Sequence, residues 1–423
     1  MRTAVIVLGD LGRSPRMQYH AVSLADAGHD VDLVGLEGAP PMPAAASHPR
    51  ITCHRLPDFA FQGRATGGLN RFVAGSLARV VGQARHLFTL LMRLPKADVV
   101  LVQNPPAVPT LAVAWLVARW RGSRFVIDWH NLSHTVAAIR LGESHRAVKA
   151  IARSERRWAR RADGHLAVSK ALAAWLSSHD GITAAVVYDR PVAAFSRTRP
   201  TAAVPMWTKL AADAGLPVDR LPLVVCPTSW TPDEDFDLLL EALERADRQL
   251  ARRGGSSDPP AKLDPPAPVV AVILTGRGAL RESFEARLAR RAFSAIAVRT
   301  MWLEPADYPV VIGMADLGLC LHQSSSGLDL PMKVADFRGA GVPVAAFDYA
   351  PVLGEVLTNG REGITFRGPG ELASILVSVA TKAADPTSAL NRSQAWLFEN
   401  PAERWDTQWL VAARPVLVPD GAA

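Results

Sequence analysis

The residues best suited to chemistry fall in two stretches. The first runs His322-Gln323-Ser324-Ser325-Ser326-Gly327-Leu328-Asp329-Leu330-Pro331-Met332-Lys333 and continues past Asp336 to Gly341-Val342-Pro343. Ser325, Ser326 and Gly327 are small enough to leave backbone N–H groups approachable, Lys333 adds a positive charge, and Asp329 or Asp336 can accept from sugar hydroxyls. Such a set suits the diphosphate and ribose of a nucleotide. The second stretch is Asp128-Trp129-His130-Asn131, which crowds a carboxylate, an indole, an imidazole and an amide together. His130 there is a candidate general base or phosphate contact. Near the N-terminus, Arg13 and Arg16 could take a phosphate bidentately.

These side chains need elements to aim them. The apolar run 317–321 reads as a buried strand, and 332–339 reads as a helix stopped by Gly341-Val342-Pro343. Strand, Ser/Gly loop and helix start together form an anion-binding geometry. Phe125-Val126-Ile127 reads as a strand with Asp128 at its carboxyl end. Residues 3–8, 17–27 and 31–36 read as strand, helix and strand, a βαβ opening whose loop carries Arg13 and Arg16 but no GxGxxG. Further strands are expected at 98–103, 166–168 and 185–188, and helices at 111–120 and 140–161. After a Pro/Thr/Arg-rich linker at 188–205 the pattern restarts: strands at 223–226, 269–274 and 296–302, helices at 236–252, 280–293 and 306–315. The Pro-rich stretch 254–268 reads as a surface insertion. Helices at 386–411 carry Trp396, Trp405 and Trp409 as packing anchors.

The amphipathic segment 72–94 is punctuated by Arg79, Arg85, His86 and Arg93. It reads either as a helix lying on a membrane interface or as one packed on the sheet with a wet face.

Composition bounds the possibilities. The 423 residues exceed one core and suggest two domains. A net charge of +7 favours anionic partners. The absence of an aromatic-interleaved basic patch disfavours nucleic acid. Cys53, Cys226 and Cys320 show no CxxC spacing, so neither a disulfide framework nor a zinc site is indicated, which fits a reducing compartment. There is no signal peptide and no apolar span of bilayer length.

Longer motifs carry a family resemblance: Gly9-Asp10-Leu11-Gly12-Arg13-Ser14-Pro15-Arg16, Gln103-Asn104-Pro105-Pro106, Val126-Ile127-Asp128-Trp129-His130-Asn131, Tyr188-Asp189-Arg190-Pro191, Thr228-Ser229-Trp230-Thr231-Pro232-Asp233-Glu234-Asp235, Gly276-Arg277-Gly278, Trp302-Leu303-Glu304-Pro305, and the stretch from Cys320 to Gly341. On these the sequence resembles the chitobiosyldiphosphodolichol β-mannosyltransferases, in a bacterial-type form. The resemblance implies an α/β GT-B fold, two Rossmann-like domains facing across a cleft. Expected boundaries are 1–195 for acceptor binding, 206–385 for nucleotide-sugar binding, and 386–423 for helices packing back on the first domain. It implies an inverting transfer of mannose from GDP-mannose to a GlcNAc-terminated polyprenyl or dolichyl diphosphate, forming a β-1,4 linkage. The chain would act without an essential metal or cofactor, peripherally on the cytoplasmic face of a membrane and attached through 72–94.

For the roles, His130 is the first candidate base, Asp128 the second and Glu304 a third. Ser229, Arg277, Ser325, Ser326, Gly327, Asp329, Lys333 and Asp336 would bind the donor, and Gly12, Arg13, Arg16 and Asn131 the acceptor. The Glu-x7-Glu pattern of many retaining GT-B enzymes is absent, Leu328 standing in the position that precedes Asp336. Two alternatives stay open: a retaining mannosyltransferase of the same architecture, and a non-catalytic nucleotide-sugar-binding protein. The membrane-spanning N-terminal helix usual in the eukaryotic family is missing here, which leaves the acceptor lipid open.

Overall fold

The computed structural model describes residues 1–57, 69–254, 267–381 and 388–418, and divides into two compact units. Unit 1 is Met1–Asp189 with Trp405–Ala423, and unit 2 is Arg190–Arg404. The insertion expected at 254–268 falls almost wholly outside the described residues.

Unit 1 is built on a seven-stranded parallel sheet in the order β3-β2-β1-β4-β5-β6-β7. Its strands are β1 (Arg2–Asp10), β2 (Asp30–Leu36), β3 (Ile51–Leu56), β4 (Val99–Asn104), β5 (Arg124–Trp129), β6 (Gly164–Ala167) and β7 (Ala185–Val186). Helices cover both faces, so the central strands read as unbroken apolar runs: Val5, Ile6 and Val7 are all buried, as are Val99 to Val102. The chain grows outward from β1 to β3, then returns to place β4 beside β1. That reversal opens a crevice at the carboxyl ends of β1 and β4, where ligands of such sheets bind.

Unit 2 repeats the scheme with six parallel strands in the order β10-β9-β8-β11-β12-β13. They are β8 (Leu223–Pro227), β9 (Val270–Thr275), β10 (Ile296–Met301), β11 (Leu317–Cys320), β12 (Val344–Phe347) and β13 (Gly363–Phe366). Alternation along each strand splits the core in two: Val224, Cys226, Val270, Val272 and Leu274 face one helix layer, and Leu223, Val225, Ala271 and Ile273 the other. The reversal here falls between β8 and β11.

Several elements differ from expectation. The helix Pro200–Ala214 begins within the stretch read as a linker and carries Pro205 inside it. The single basic helix expected at 140–161 is two, Ser133–Leu141 and Arg146–Ala159, parted by Gly142 at φ 81°. Strands β3, β12 and β13 and the helix Pro369–Ala380 were not anticipated.

The basic segment forms the helix Leu69–Arg93, with side chains described from residue 78. Gln83, Leu87 and Leu91, spaced four apart, are buried on one seam, while Arg79, Arg85 and Arg93 face water. Arg121 donates to the carbonyls of Leu91 and Leu94 and ties the helix end to its neighbour. Among the described residues no helix is long and apolar enough to cross a membrane.

Candidate functional site

In unit 1 the chemistry gathers at the reversal point. Loop residues 11–14 follow β1, and the helix Pro15–Asp26 starts there. Arg16 and His20 stand four apart on that helix, hence on one face, and both reach Asp128 at the end of β5. Arg16 is fully buried and grips Asp128 bidentately, Nε to Oδ2 at 2.8 Å and Nη2 to Oδ1 at 2.9 Å. Its Nη1 donates to the carbonyl of Val187 at 2.7 Å and to Asp189 at 3.0 Å. Burial opposes the Arg16 charge, but Asp128 and Asp189 outweigh it and raise its pKa. Burial likewise disfavours the Asp128 carboxylate, yet Arg16 and His130 hold it well below the usual range.

His130 completes the cluster, its Nε2 lying 2.8 Å from Asp128 Oδ2 with a fifth of its side chain exposed. Because the carboxylate accepts, the ring carries its proton on Nε2, and Nδ1 is left as the basic nitrogen. The loops around it are braced by buried Glu155, which accepts from Asn104 Nδ2 at 2.6 Å, Ser133 N at 2.7 Å and the His134 ring at 2.8 Å. Gly12 is required by close approach, since a Cβ there would sit 2.4 Å from the Pro40 carbonyl oxygen.

In unit 2 the loops after β8 and β11 meet, again at the reversal point. Glu234 organises the first. One of its oxygens receives the Thr228 hydroxyl at 2.5 Å and the N–H groups of Ser229 and Trp230 at 2.9 and 3.0 Å. These bonds hold Trp230 in a left-handed conformation at φ 54°, which a bulky residue adopts only when its surroundings impose it. The other oxygen receives Lys333 Nζ. Gly276, at φ 143°, backs directly onto this loop, where a Cβ would overlap the Thr228 carbonyl.

His322 is clamped between Asp233 and Asp329, each at 3.1 Å. Burial works against its charge, but the two hydrogen-bonded carboxylates prevail and lift it from 6.5 to about 9. Burial would raise Asp233, yet the same bond brings it down to about 2. The 324–328 loop is closed by its own hydroxyls: Ser324 Oγ accepts Gly327 N at 2.8 Å and Ser326 Oγ accepts Leu328 N at 3.2 Å. Arg277 is exposed and stacks over Trp302 at 4.1 Å.

Each expected residue can now be placed. His130, Asp128, Arg16 and the Gly12 loop come together in unit 1, and Ser229, Lys333, Asp329 and the Ser324–Gly327 loop in unit 2. Four of them are already engaged inside the protein. Arg16 is not a free phosphate ligand, because its guanidinium is spent inside the protein on Asp128 and Asp189. Asp128 is not a base in waiting, since it is buried and locked as an anion beneath His130. Lys333 brings no surplus positive charge: with His322 it makes two cations facing the three carboxylates Asp233, Glu234 and Asp329. Asp329 turns inward onto His322 and Ser324 and so braces the loop.

The remaining residues lie as follows. Arg13 is half exposed near Asp10, Asn131 caps its own loop by accepting Leu132 N at 2.7 Å, Asp336 accepts from Tyr308 Oη at 3.2 Å, and Glu304 is exposed, its backbone opening the helix Tyr308–Met314. Sequence reasoning missed His20, His322, Asp233 and Glu234. Asp233 and Glu234 lie in the loop before the helix Phe236–Gly254, and their partners His322 and Lys333 come from 89 and 99 residues later in the chain.

Comparison with known proteins agrees with this architecture. A family model described as a glycosyl transferase 4-like domain matches residues 12–188. Among solved structures, HepE of Anabaena with UDP-glucose superposes with a TM-score of 0.65 at 14% identity, covering 98% of each chain. Sucrose-phosphate synthase from Thermosynechococcus elongatus gives 0.64 at 14% identity, covering 97% of each. These likenesses show a two-domain GT-B fold. Sequence relatives are nearer. The UDP-glycosyltransferase TURAN of Arabidopsis thaliana is 38% identical over 98% of this chain and 97% of its own length. The chitobiosyldiphosphodolichol beta-mannosyltransferase of Homo sapiens is 35% identical over 98% of this chain and 92% of its own, and that of Mus musculus is 35% identical over 98% and 88%. The chain is a glycosyltransferase and belongs to the chitobiosyldiphosphodolichol beta-mannosyltransferase family.

Proposed function

We propose that this protein transfers mannose from GDP-mannose to the terminal GlcNAc of a polyprenyl or dolichyl diphosphate lipid, with inversion, forming a β-1,4 linkage. The observation that carries the reading is the polarity of His130. Asp128 takes its Nε2–H and leaves Nδ1 basic at the mouth of a buried ion network. In an inverting transfer the acceptor hydroxyl oxygen attacks the anomeric carbon as His130 Nδ1 removes its proton. The bond from that carbon to the phosphate oxygen breaks, and its electron pair leaves with GDP.

Unit 2 binds the donor in this reading. Lys333 has three N–H donors and Glu234 takes one, so the others are available to the leaving diphosphate. The His322 imidazolium and Arg277 add positive charge, and Ser229, Ser325, Ser326 and Gly327 line the approach. Asp336 accepts from donor hydroxyls. These groups supply the leaving-group stabilisation, so transfer proceeds without an essential metal. On unit 1, Arg13, Gly12 and Asn131 lie on the acceptor side, Arg13 meeting its diphosphate. The exposed arginines of the helix Leu69–Arg93 hold the protein to an anionic membrane surface on the cytoplasmic side.

The test is to incubate the protein with GDP-mannose and a synthetic phytanyl-diphosphate chitobiose, with and without EDTA. A mass gain of one hexose is expected in both, with a β anomeric proton signal in the product. An equal gain from UDP-glucose, or an α anomer, would refute the donor or the stereochemistry.

A further inference from the structure

His20 lies one helical turn beyond Arg16 and is wholly buried. Its Nδ1 accepts the indole N–H of Trp409 at 3.0 Å. A neutral imidazole that accepts at Nδ1 carries its proton on Nε2. That N–H stands 3.3 Å from Asp128 Oδ2, the oxygen that also receives Arg16 Nε and His130 Nε2. The contact is long and off the line of a good hydrogen bond, and Nε2 has no other partner among the described residues. The groups facing His20 are Arg16 on its own helix and Asp128 and His130 from β5 and its loop. The C-terminal segment presents the neutral rings of Trp405, edge-on at 5.0 Å, and Trp409.

We propose that Trp409 is a positioning residue for the base: its indole N–H holds His20 neutral in the Nε2–H form and so leaves the Asp128 charge to His130. This rests on the reading of His130 as base. The physical reason is a clash of donors. Protonating His20 would place an N–H on Nδ1, head to head with the indole N–H. Burial and the neighbouring Arg16 oppose that proton as well, outweighing Asp128 and lowering the His20 pKa. A charged His20 would compete with His130 for Asp128 Oδ2 and weaken the bond that keeps the His130 proton on Nε2. Trp405, which donates to Ser23 Oγ at 3.0 Å and lies 5.6 Å from the Arg16 guanidinium, closes the same side. A segment more than two hundred residues from β7 in sequence thereby sets the proton inventory of the centre.

Full-length protein labelled with 15N-histidine tests the first half, with His20 assigned by its loss in His20→Gln. The wild-type ring is expected in the Nε2–H form and free of titration between roughly pH 5.5 and 8. A titrating ring or an Nδ1–H form overturns the proposal, whether or not any variant folds. Kinetics of Trp409→Phe, which keeps a ring and deletes the donor, test the second half. His20 gains a titration, the acid limb of kcat moves to higher pH, and kcat near pH 6 falls about 10-fold, with KM for the nucleotide sugar within about twofold. Adding His20→Gln, which cannot titrate and can still donate to Asp128, restores the acid limb. A packing role alone predicts a lower Tm with kcat scaled equally at every pH, and that result overturns the proposal. Full activity in His130→Gln ends the base assignment and this inference together. A titrating wild-type His20 beside an inactive His130→Gln ends this inference alone.

Discussion

Both units set a histidine against carboxylates at the carboxyl end of a central strand, and they leave it in opposite charge states. In unit 1 a permanent cation, Arg16, already neutralises Asp128, so His20 stays uncharged and burial lowers its pKa. In unit 2 Asp233 and Asp329 both turn to His322, and the ring is the cation, raised to about 9. The difference follows from which partner can lose its proton. An arginine cannot, so the carboxylate beside it stays charged and any nearby imidazole is free to remain neutral. With that carboxylate already neutralised, His130 donates to it through Nε2 and keeps Nδ1 for an incoming proton, which suits the half proposed to deprotonate an acceptor. A charged imidazole can only donate, which suits the half proposed to hold an anion.

The largest expected effect breaks this comparison in unit 1. Arg16→Ala leaves Asp128 and Asp189 buried without their cation and is expected to destabilise the protein by about 3–5 kcal/mol. The companion change in unit 2, His322→Gln, keeps a neutral hydrogen-bonding group and is expected to cost about 1–2 kcal/mol. Denaturant midpoints compare the two, and equal losses would mean that Arg16 is no more committed than His322. Next comes His130→Gln, expected to lower kcat by about 10²–10³, or roughly 3–4 kcal/mol of barrier, with little change in Tm. Near-normal turnover would remove His130 as the base.

The two units should also answer pH in opposite directions. Burial lowers His165, which accepts Trp129 Nε1 at 3.1 Å, to about 4. The unfolded chain then binds the proton first, so this ring's contribution is whole above pH 6.5 and is lost as pH falls toward 4, about 3 kcal/mol in all. His322 is raised, so its contribution is whole below pH 6.5 and is lost as pH climbs through about 9, again on the order of 3 kcal/mol. The lowered Asp233 belongs to that same pair, its share present above 3.8 and lost as pH falls toward 2. Hydrogen exchange on peptides from β5 and β6 against β8 and β11 reads the units separately. Loosening of unit 1 first under mild acid and of unit 2 first under mild alkali is the expected result. A shared profile would erase the distinction.

The sequence made the strands and their carboxyl-end loops legible because a doubly covered parallel sheet needs unbroken apolar runs, and such runs are visible without partners. Strands β12 and β13 escaped although they are no shorter than β6 and β11, which were read. His130 could be found, as it sits beside Asp128 in sequence. Arg16 was found without its partner, because an arginine in a loop before a helix looks the same whether it points to solvent or to a carboxylate 112 residues away. His20 and Trp409 meet across 389 residues, a pairing no local pattern encodes. Lys333 was taken as a bare charge for the same reason, its partner Glu234 lying 99 residues earlier.

The smallest effect sharpens what remains of positive charge in unit 2. Arg277 is exposed, and its guanidinium lies over the face of Trp302. At such a site the ring contributes roughly 0.5–1 kcal/mol, enough to orient the side chain without immobilising it. Trp302→Leu is therefore expected to raise KM for the nucleotide sugar about two- to fivefold with kcat nearly unchanged, since orientation is lost before and after transfer alike. Arg277→Lys should do the same, because an ammonium stacks poorly and forms no planar fork. If instead kcat falls and KM holds, Arg277 acts only as the leaving group departs, and its orientation by Trp302 serves the transition state and not the bound nucleotide sugar.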